Sequence, residues 1–301
     1  MLRRFKRFLT RVFDPLVGAL VAVAFWILRR VGLDRSSDAL GALGRRIGPW
    51  LPEHKIGQRQ LRAAYPDKDA AWIETTLSGA WENLGRVIGE FVHLDRMWDY
   101  DHDTPNTGRI VTDDAQKLLD MRDDGKPALI FTAHLANWEL PALAAARHGL
   151  ASAVLYRMPN SPSVARRIVA IREHLMGRLI RSRREAGVEL AGALERGEHL
   201  GMLVDQFWAR GVDVTFFGRT CKANPTLARL ARHYDCPVYG VRVIRLPGRR
   251  LRLASTGPVD LPRDAEGLID IKAATQTINT IVEVWIREHP EQWLWFHRKW
   301  R

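Results

Sequence analysis

Residues 131–139 read FTAHLANWE and cross from a strand pattern into a helix pattern. Residues 128–133 form a short apolar run, which predicts a strand. Asn137 is a good N-cap for the helix that follows. Side chains five positions apart on one continuous helix diverge by roughly 140°, so His134 and Glu139 could not share a target there. We therefore place His134 in the turn and Glu139 in the first helical turn, with its carboxylate reaching back toward the imidazole.

This pair of residue types predicts acyl transfer. An imidazole can take the proton of an attacking hydroxyl, and a carboxylate on its other nitrogen fixes the tautomer and stabilises the imidazolium that forms. The chain has no Ser in a Gly-x-Ser-x-Gly turn, and neither Cys221 nor Cys236 adjoins the pair, so the hydroxyl is expected to belong to the substrate. Taken alone, a His and a Glu near a helix start are also typical of a cap, a surface pair or a buried structural histidine.

Five blocks in a fixed order carry a resemblance to a known family. Besides residues 134–139, they are residues 81–86 (WENLGR) with Glu90 and Phe91; Tyr156 and Arg157, then Arg172 and Gly177; Asp205 and Gln206, then Gly211 and residues 216–218 (FFG); and residues 290–295 (PEQWLW) with His297 and Arg298. Over nearly the whole chain, these blocks resemble the late acyltransferases of lipid A biosynthesis. This lauroyl/myristoyl acyltransferase family is related to the wider lysophospholipid acyltransferase superfamily, which shares the histidine motif.

The resemblance implies an acyltransferase with a glycerolipid acyltransferase-like fold. In such an enzyme His134 is the general base and Glu139 orients it. The implied donor is an acyl thioester, acyl-acyl carrier protein or acyl-CoA, and the implied acceptor is a hydroxyl of a lipid A precursor. Residues 219–225 (RTCKANP) depart from the small, threonine-rich stretch usual in the family, so acceptor or chain-length preference could differ there. Substrate-binding roles are expected for Arg172, Asp205, Gln206 and Arg157.

The residues themselves leave two of these roles open. Arg172 lies on a helix pattern, where it could stabilise a thioester oxyanion or a substrate phosphate, or form a structural ion pair. Asp205 directly follows an apolar strand pattern, where it could hold an arginine or a sugar hydroxyl, or simply begin a surface loop.

The composition favours a membrane and a phosphorylated lipid as partners. A formal charge of +12 indicates an anionic partner, and no zinc-finger spacing, RNP-like block or heptad-bearing basic region points to nucleic acid. Eleven tryptophans favour the membrane–water boundary, although ordinary packing also uses them. Two cysteines fit a reducing compartment, and neither they nor the histidines have metal-ligand spacing, so no metal or cofactor is predicted.

The amino terminus predicts a membrane anchor over residues 1–30. Residues 16–28 are uncharged, and counting from Val12 gives seventeen residues at the cost of including Asp14, the lower limit for crossing a bilayer core of ~30 Å. The anchor is expected to span once or to lie in the interface; a buried amphipathic helix is the alternative. The resemblance implies a location at the bacterial inner membrane, and the location of the implied donor favours a catalytic domain that faces the cytoplasm.

A helical lead-in is predicted for residues 31–106 and an α/β acyltransferase domain for residues 107–301. Strands and helices alternate in the second region, which predicts a mixed, largely parallel sheet flanked by helices. His134 and Asp205 both follow strands, and active sites of open α/β sheets collect at the carboxyl ends of strands. The alternative functions are an acyltransferase for a lysophospholipid, glycolipid or aminolipid, and a non-enzymatic, basic membrane-peripheral binding protein.

The predicted strands are 128–133, 152–156, 200–204, 238–244 and 251–255. The predicted helices include one that ends at about residue 148, and those at 163–181, 225–234 and 269–289.

Overall fold

The computed structural model describes residues 2–112, 114–159, 161–183 and 185–300, with side chains from Phe13 onward. The helices are α1 Leu2–Val31, α2 Leu33–Ile47, α3 Pro52–Ala64, α4 Ala70–Phe91, α5 Ala115–Asp123, α6 Leu140–Arg147, α7 Pro162–Leu175, α8 Ala186–Glu195, α9 Thr226–Tyr234 and α10 Ile271–Glu288. The strands are β1 Ile110–Val111, β2 Leu129–Thr132, β3 Ser152–Tyr156, β4 Arg178–Arg181, β5 His199–Leu203, β6 Val212–Phe216, β7 Arg219–Ala223, β8 Val238–Leu246 and β9 Arg250–Thr256.

Within these described ranges, seven strands form one sheet in the order β1-β9-β8-β2-β5-β3-β4. Neighbouring strands are parallel except β8 and β9, which form an antiparallel pair. The predicted mixed, largely parallel sheet flanked by helices is therefore confirmed. Strands β6 and β7 form a separate antiparallel hairpin.

The two faces of the sheet have different neighbours. Phe131 of β2 belongs to the main core and stacks on Trp285 of α10, with ring centroids 5.5 Å apart. Ile130 points to the opposite face with Val154 and Gly201 of the neighbouring strands, because successive side chains alternate across a strand. These three residues line a cavity on that face of the sheet.

Helices α2 and α4, which precede the sheet in the chain, pack against each other. A Cβ at Gly85 would collide with the backbone carbonyl of Leu40, and one at Gly89 would collide with that of Ser36. Glycine at these two positions therefore lets the helices approach closely. This approach carries Glu90, at the end of α4, against the sheet.

Helix α1 has an inner and an outer face. On the inner face, the Asp14 carboxylate accepts hydrogen bonds from the Ser161 hydroxyl (2.5 Å) and from the Ser163 hydroxyl (2.6 Å) and backbone N–H (3.0 Å). Asp14 thereby binds the N-terminal turn of α7, where the helix dipole favours an anion. The outer face exposes large apolar side chains: Phe13, Leu16, Leu20, Val23, Trp26 and Ile27.

No helix in the described part of the chain combines the length and apolarity needed to cross a membrane. The spanning form of the predicted anchor therefore finds no support.

The helix predicted over residues 163–181 is wrong in its last part. Helix α7 ends at Leu175, and Gly177 adopts a positive φ of 40° that only glycine tolerates easily. Arg178–Arg181 then pairs with β3 as an edge strand. Two of the four residues in this strand, Arg178 and Arg181, are charged and exposed, which is typical of a protected sheet edge and hides the alternation that would reveal a strand.

The hairpin of β6 and β7 was also not predicted. Its turn is formed by Phe217 and Gly218, both with positive φ, of 52° and 68°. Two successive residues in this conformation give the turn type that fits the twist of a two-stranded ribbon.

Candidate active site

His134 and Asp205 follow neighbouring parallel strands, β2 and β5, whose register pairs Thr132 with Leu203. The carboxyl ends of both strands therefore meet at one edge of the sheet, and residues 71 positions apart come together. The His134 ring donates from Nδ1 to Asp205 Oδ1 over 2.8 Å, and its backbone N–H donates to Oδ2 over 2.9 Å. The sequence placed both residues at strand ends, and the structure joins them directly.

Asp205 is a fully buried carboxylate with a further donor. The indole N–H of Trp293 donates to Asp205 Oδ2 over 2.7 Å. Burial alone would raise the pKa of Asp205, but the charge and hydrogen bonds of His134 outweigh burial and hold that pKa well below its ordinary value. Asp205 is therefore the negative charge that fixes the imidazole and stabilises its protonated form.

The second ring nitrogen of His134 remains available. With Nδ1 bonded to Asp205, Nε2 keeps its lone pair and lies 3.5 Å from the amide nitrogen of Gln206. The His134 side chain is 14% exposed and lines the cavity, as does Gln206. Gln206, for which the sequence predicts a substrate-binding role, therefore lies beside His134, and the nitrogen that can accept a proton belongs to a cavity-lining side chain.

Glu139 does not hold the imidazole as predicted; that position is taken by Asp205. The Glu139 carboxylate forms a two-point ion pair with Arg172 of α7, with Nε donating over 2.9 Å to Oε2 and Nη2 donating to Oε1. The physical reason lies in the tertiary structure. Parallel pairing of β2 and β5 sets Asp205 beside the His134 backbone, whereas α7 brings a guanidinium to Glu139, which is only 7% exposed.

Asn137 is likewise not the residue immediately before the helix. Helix α6 begins at Leu140, with Glu139 in the N-cap position, and the Asn137 side chain accepts the Glu139 backbone N–H over 3.2 Å. Asn137 thus caps the turn before the helix.

Buried polar groups fix the loop between β2 and α6. Ala136 has a positive φ of 46°, its N–H donates to the Gln292 carbonyl over 3.0 Å, and its carbonyl accepts from the Asn83 amide over 3.3 Å. The Asn137 amide donates to Glu90 over 2.8 Å. Segments far apart in sequence therefore hold the catalytic loop in a conformation that alanine rarely adopts.

Glu90 is 2% exposed and is itself neutralised by an arginine. Arg245 of β8 donates to both of its oxygens, over 2.6 and 3.0 Å, and also donates from Nε to the Asn83 side chain over 3.1 Å. The Ser37 hydroxyl completes the network with a 2.8 Å bond to Glu90. A buried charge with this set of partners specifies one local structure, because loss of any partner would leave an uncompensated group.

Sequence reasoning did not assign these supporting roles. The sequence blocks that resemble the family were the available signal, because they include Glu90, Asn83, Gln292 and Trp293. Arg245 lies outside these blocks. The carboxy-terminal block acts as a short extension of the site, because Trp293 pairs with Leu135 in an isolated antiparallel bridge.

A cavity of about 830 Å³ extends from the His134–Asp205 pair across the sheet. Its size lies within the usual range for ligand sites. Arg172 and the exposed Arg157 line it near the catalytic end. Arg157 forms no ion pair with another described residue, and Nη1 of Arg172 makes no hydrogen bond to another described residue.

The apolar lining of the cavity includes Leu118, Met121, Ile130, Ala145, Leu150, Val154 and Leu253.

His297 is buried close behind the catalytic pair, with its ring centroid 6.4 Å from that of His134. Burial lowers the pKa of His297 to about 4, although the charge of Asp205 acts in the opposite direction. The neutral ring adds no positive charge that would compete with His134 for Asp205.

Acidification should destabilise the protein through His297. Between pH 6.5 and about 4 the unfolded chain binds a proton at this residue and the folded chain does not, so the free energy of unfolding falls as the pH is lowered. The loss should reach about 3 kcal/mol for this group at the low end of the window. Denaturant unfolding at a series of pH values should show a shallower decline in His297→Gln. His174→Gln, at an exposed histidine, is the matched control. If the free energy of unfolding declines as steeply with falling pH in His297→Gln as in His174→Gln, the loss of stability does not come from His297.

The arrangement supports proton abstraction by an imidazole that a buried carboxylate orients, beside an apolar cavity with two arginines at one end. It therefore suits transfer of an acyl group to a substrate hydroxyl. Within the described residues, no group of three or more His, Cys, Asp or Glu side chains is placed to hold a metal ion.

Comparison with curated proteins gives no match. A family model described as bacterial lipid A biosynthesis acyltransferase matches residues 6–301, which is nearly the whole chain. Since the match includes the catalytic loop, Asp205 and the carboxy-terminal block, the chain belongs to the bacterial lipid A biosynthesis acyltransferase family and is an acyltransferase.

Proposed function

We propose that this enzyme transfers a fatty acyl chain from an acyl thioester to a hydroxyl of a lipid A precursor. The observation that carries the proposal is the His134–Asp205 pair at the end of an apolar cavity of about 830 Å³. A hydrocarbon chain fits the apolar part, and the thioester then lies beside the base.

The chemical step uses His134 as the general base. The acceptor hydroxyl loses its proton to Nε2 as its oxygen attacks the thioester carbonyl carbon, and Asp205 stabilises the imidazolium. The tetrahedral oxyanion collapses, the C–S bond breaks, and the departing sulfur takes the proton from Nε2. The products are an ester and a free thiol. The unengaged Nη1 of Arg172 offers a donor to the oxyanion or to an acceptor phosphate.

Charge supports the proposed donor and acceptor. A formal charge of +12 attracts both an acidic acyl carrier protein and a phosphorylated lipid. Acyl-acyl carrier protein is the proposed donor, with acyl-CoA as the alternative thioester. Arg157, exposed and without an ion-pair partner among the described residues, is available for a phosphate of the acceptor.

Purified full-length protein with acyl thioesters and a lipid A precursor tests the proposal. Release of free thiol together with a mass increase of the precursor by one acyl group is the expected result. Thiol release with a lysophospholipid, glycolipid or aminolipid, but not with the precursor, would change the acceptor. If no acceptor leads to thiol release, the proposal that this site catalyses acyl transfer is rejected.

We also propose that α1 lies in the cytoplasmic interface of the bacterial inner membrane and presents its outer apolar face to lipid. Leu20 and Trp26 on this face are 62% and 59% exposed. Arg29 and Arg30 end the helix, and Arg30 lies over the Trp26 ring at 5.1 Å. An amphipathic helix with aromatic and basic residues is typical of interfacial binding.

Leu20→Glu should weaken binding to vesicles of anionic and zwitterionic phospholipid about tenfold or more, because burial of one leucine side chain is worth roughly 2 kcal/mol. Co-sedimentation of the full-length protein with such vesicles measures the effect. The matched control is Val188→Glu on α8, where an equally apolar side chain is 78% exposed. Equal retention of vesicle binding by both variants would exclude this face as the lipid contact.

A further inference from the structure

The floor of the cavity is built from alternate residues of the central parallel strands. Thr132 of β2 and Leu203 of β5 are register partners and form the row next to the catalytic pair. One step deeper, Gly201 lies between Ile130 of β2 and Val154 of β3, its register partners on either side. The deeper row therefore has large side chains flanking a position with none.

No backbone or packing requirement explains glycine at this position. Gly201 does not adopt the positive φ that other residues avoid, and a Cβ added there would meet Val154 Cγ2 at 3.7 Å and the Ala153 carbonyl at 3.9 Å, which are ordinary contacts. Glycine within a strand costs roughly 0.5–1 kcal/mol relative to alanine. What the missing side chain provides is an open groove between β2 and β3, which lie roughly 10 Å apart across the intervening strand.

The depth of this groove can be expressed as a chain length. Gly201 is level with Ile130, four residues before His134, so it lies about 13 Å along the strand from the catalytic residue. A C–C bond is about 1.5 Å long and an extended chain advances somewhat less per carbon, so a chain starting at the catalytic pair reaches this groove after roughly ten carbons.

We propose that Gly201 determines the length of acyl chain that the enzyme accepts, by leaving the cavity floor open beyond roughly the tenth carbon. The inference rests on the proposed function, because it assigns the apolar cavity to the acyl chain of the donor. A side chain at residue 201 projects into the groove between Ile130 and Val154 and obstructs longer chains, while shorter chains end before they reach it.

Thioesters of 8, 10, 12, 14 and 16 carbons, assayed with full-length wild type, Gly201→Ala and Gly201→Leu, test the proposal. In Gly201→Leu we expect kcat/KM for the 14- and 16-carbon donors to fall at least tenfold relative to that for the 8- and 10-carbon donors. Gly201→Ala should shift the preference in the same direction by a smaller factor. The matched control is Gly187→Leu, at an exposed glycine of α8 with open space around it, which should keep the wild-type profile.

The outcomes separate this inference from the proposed function. Wild type inactive on every thioester rejects the proposed function and the inference with it. Active wild type with the same relative preference in both residue 201 variants rejects the role of Gly201 alone. If Gly201→Leu melts at a lower temperature and loses all activity, the Gly201→Ala profile decides: a shift toward shorter chains supports the inference, and an unshifted profile overturns it.

Discussion

His134→Ala should abolish acyl transfer. General-base assistance by a positioned imidazole supplies roughly 10²–10⁴-fold in rate, and no other described histidine that lines the cavity is hydrogen-bonded to a carboxylate as His134 is to Asp205. Formation of acylated lipid by purified protein, followed by mass spectrometry, measures the loss. Vesicle binding should be unchanged, because α1 lies outside the catalytic loop.

A second exchange separates loss of the base from loss of structure. Deleting the ring leaves Asp205 buried with two donors instead of three, which can lower stability. His134→Asn keeps an N–H near the position of Nδ1 but offers no base, so it should retain the melting temperature better and still lack activity. Transfer within a few-fold of wild type in either variant would remove the general-base proposal.

Asp205→Asn should lower kcat by about 10²–10⁴-fold, the second-largest effect we expect. The neutral amide no longer stabilises the imidazolium and no longer selects the tautomer with its proton on Nδ1. Steady-state rates of acyl transfer by the purified full-length protein provide the measurement.

Glu139→Gln is the matched comparison, since it neutralises the other carboxylate near His134. Its side chain binds Arg172 rather than the imidazole, so it should lower kcat much less than Asp205→Asn does. A larger loss of kcat in Glu139→Gln than in Asp205→Asn would restore the role that the sequence motif suggests for Glu139.

The contrast between Glu139 and Asp205 shows which part of the site could be predicted from the sequence. The apolar runs around residues 128–133 and 200–204 predicted strands within one or two residues, and both candidate residues were placed at strand ends. The choice of partner depended on which strands are neighbours, and β2 and β5 are 71 positions apart at the paired residues. Local spacing favoured Glu139 because it is close in the chain, but sheet order gave the hydrogen bond to Asp205.

Other differences also arise from tertiary contacts. Residues 178–181 continue the basic pattern of α7, and only the positive φ of Gly177 and pairing with β3 make them a strand. Arg245 carried no motif, because its role comes from a buried ion pair with Glu90, 155 positions away. The apolar stretch of α1 was recognised at nearly its full length, whereas its division into an inner face on α7 and an outer exposed face required the packed structure.

The polar network beneath the catalytic loop has a thermodynamic consequence. Ala136 and Asn137 are bonded to groups from α4 and from the segment after α10, and Asn83 bonds to Gln292, 209 positions away. Closing chain segments of this length costs entropy that only the completed fold repays. We therefore expect the loop not to open as an independent unit: its backbone amides should exchange with solvent only when the whole domain unfolds, so that catalytic competence and the native state are gained and lost together.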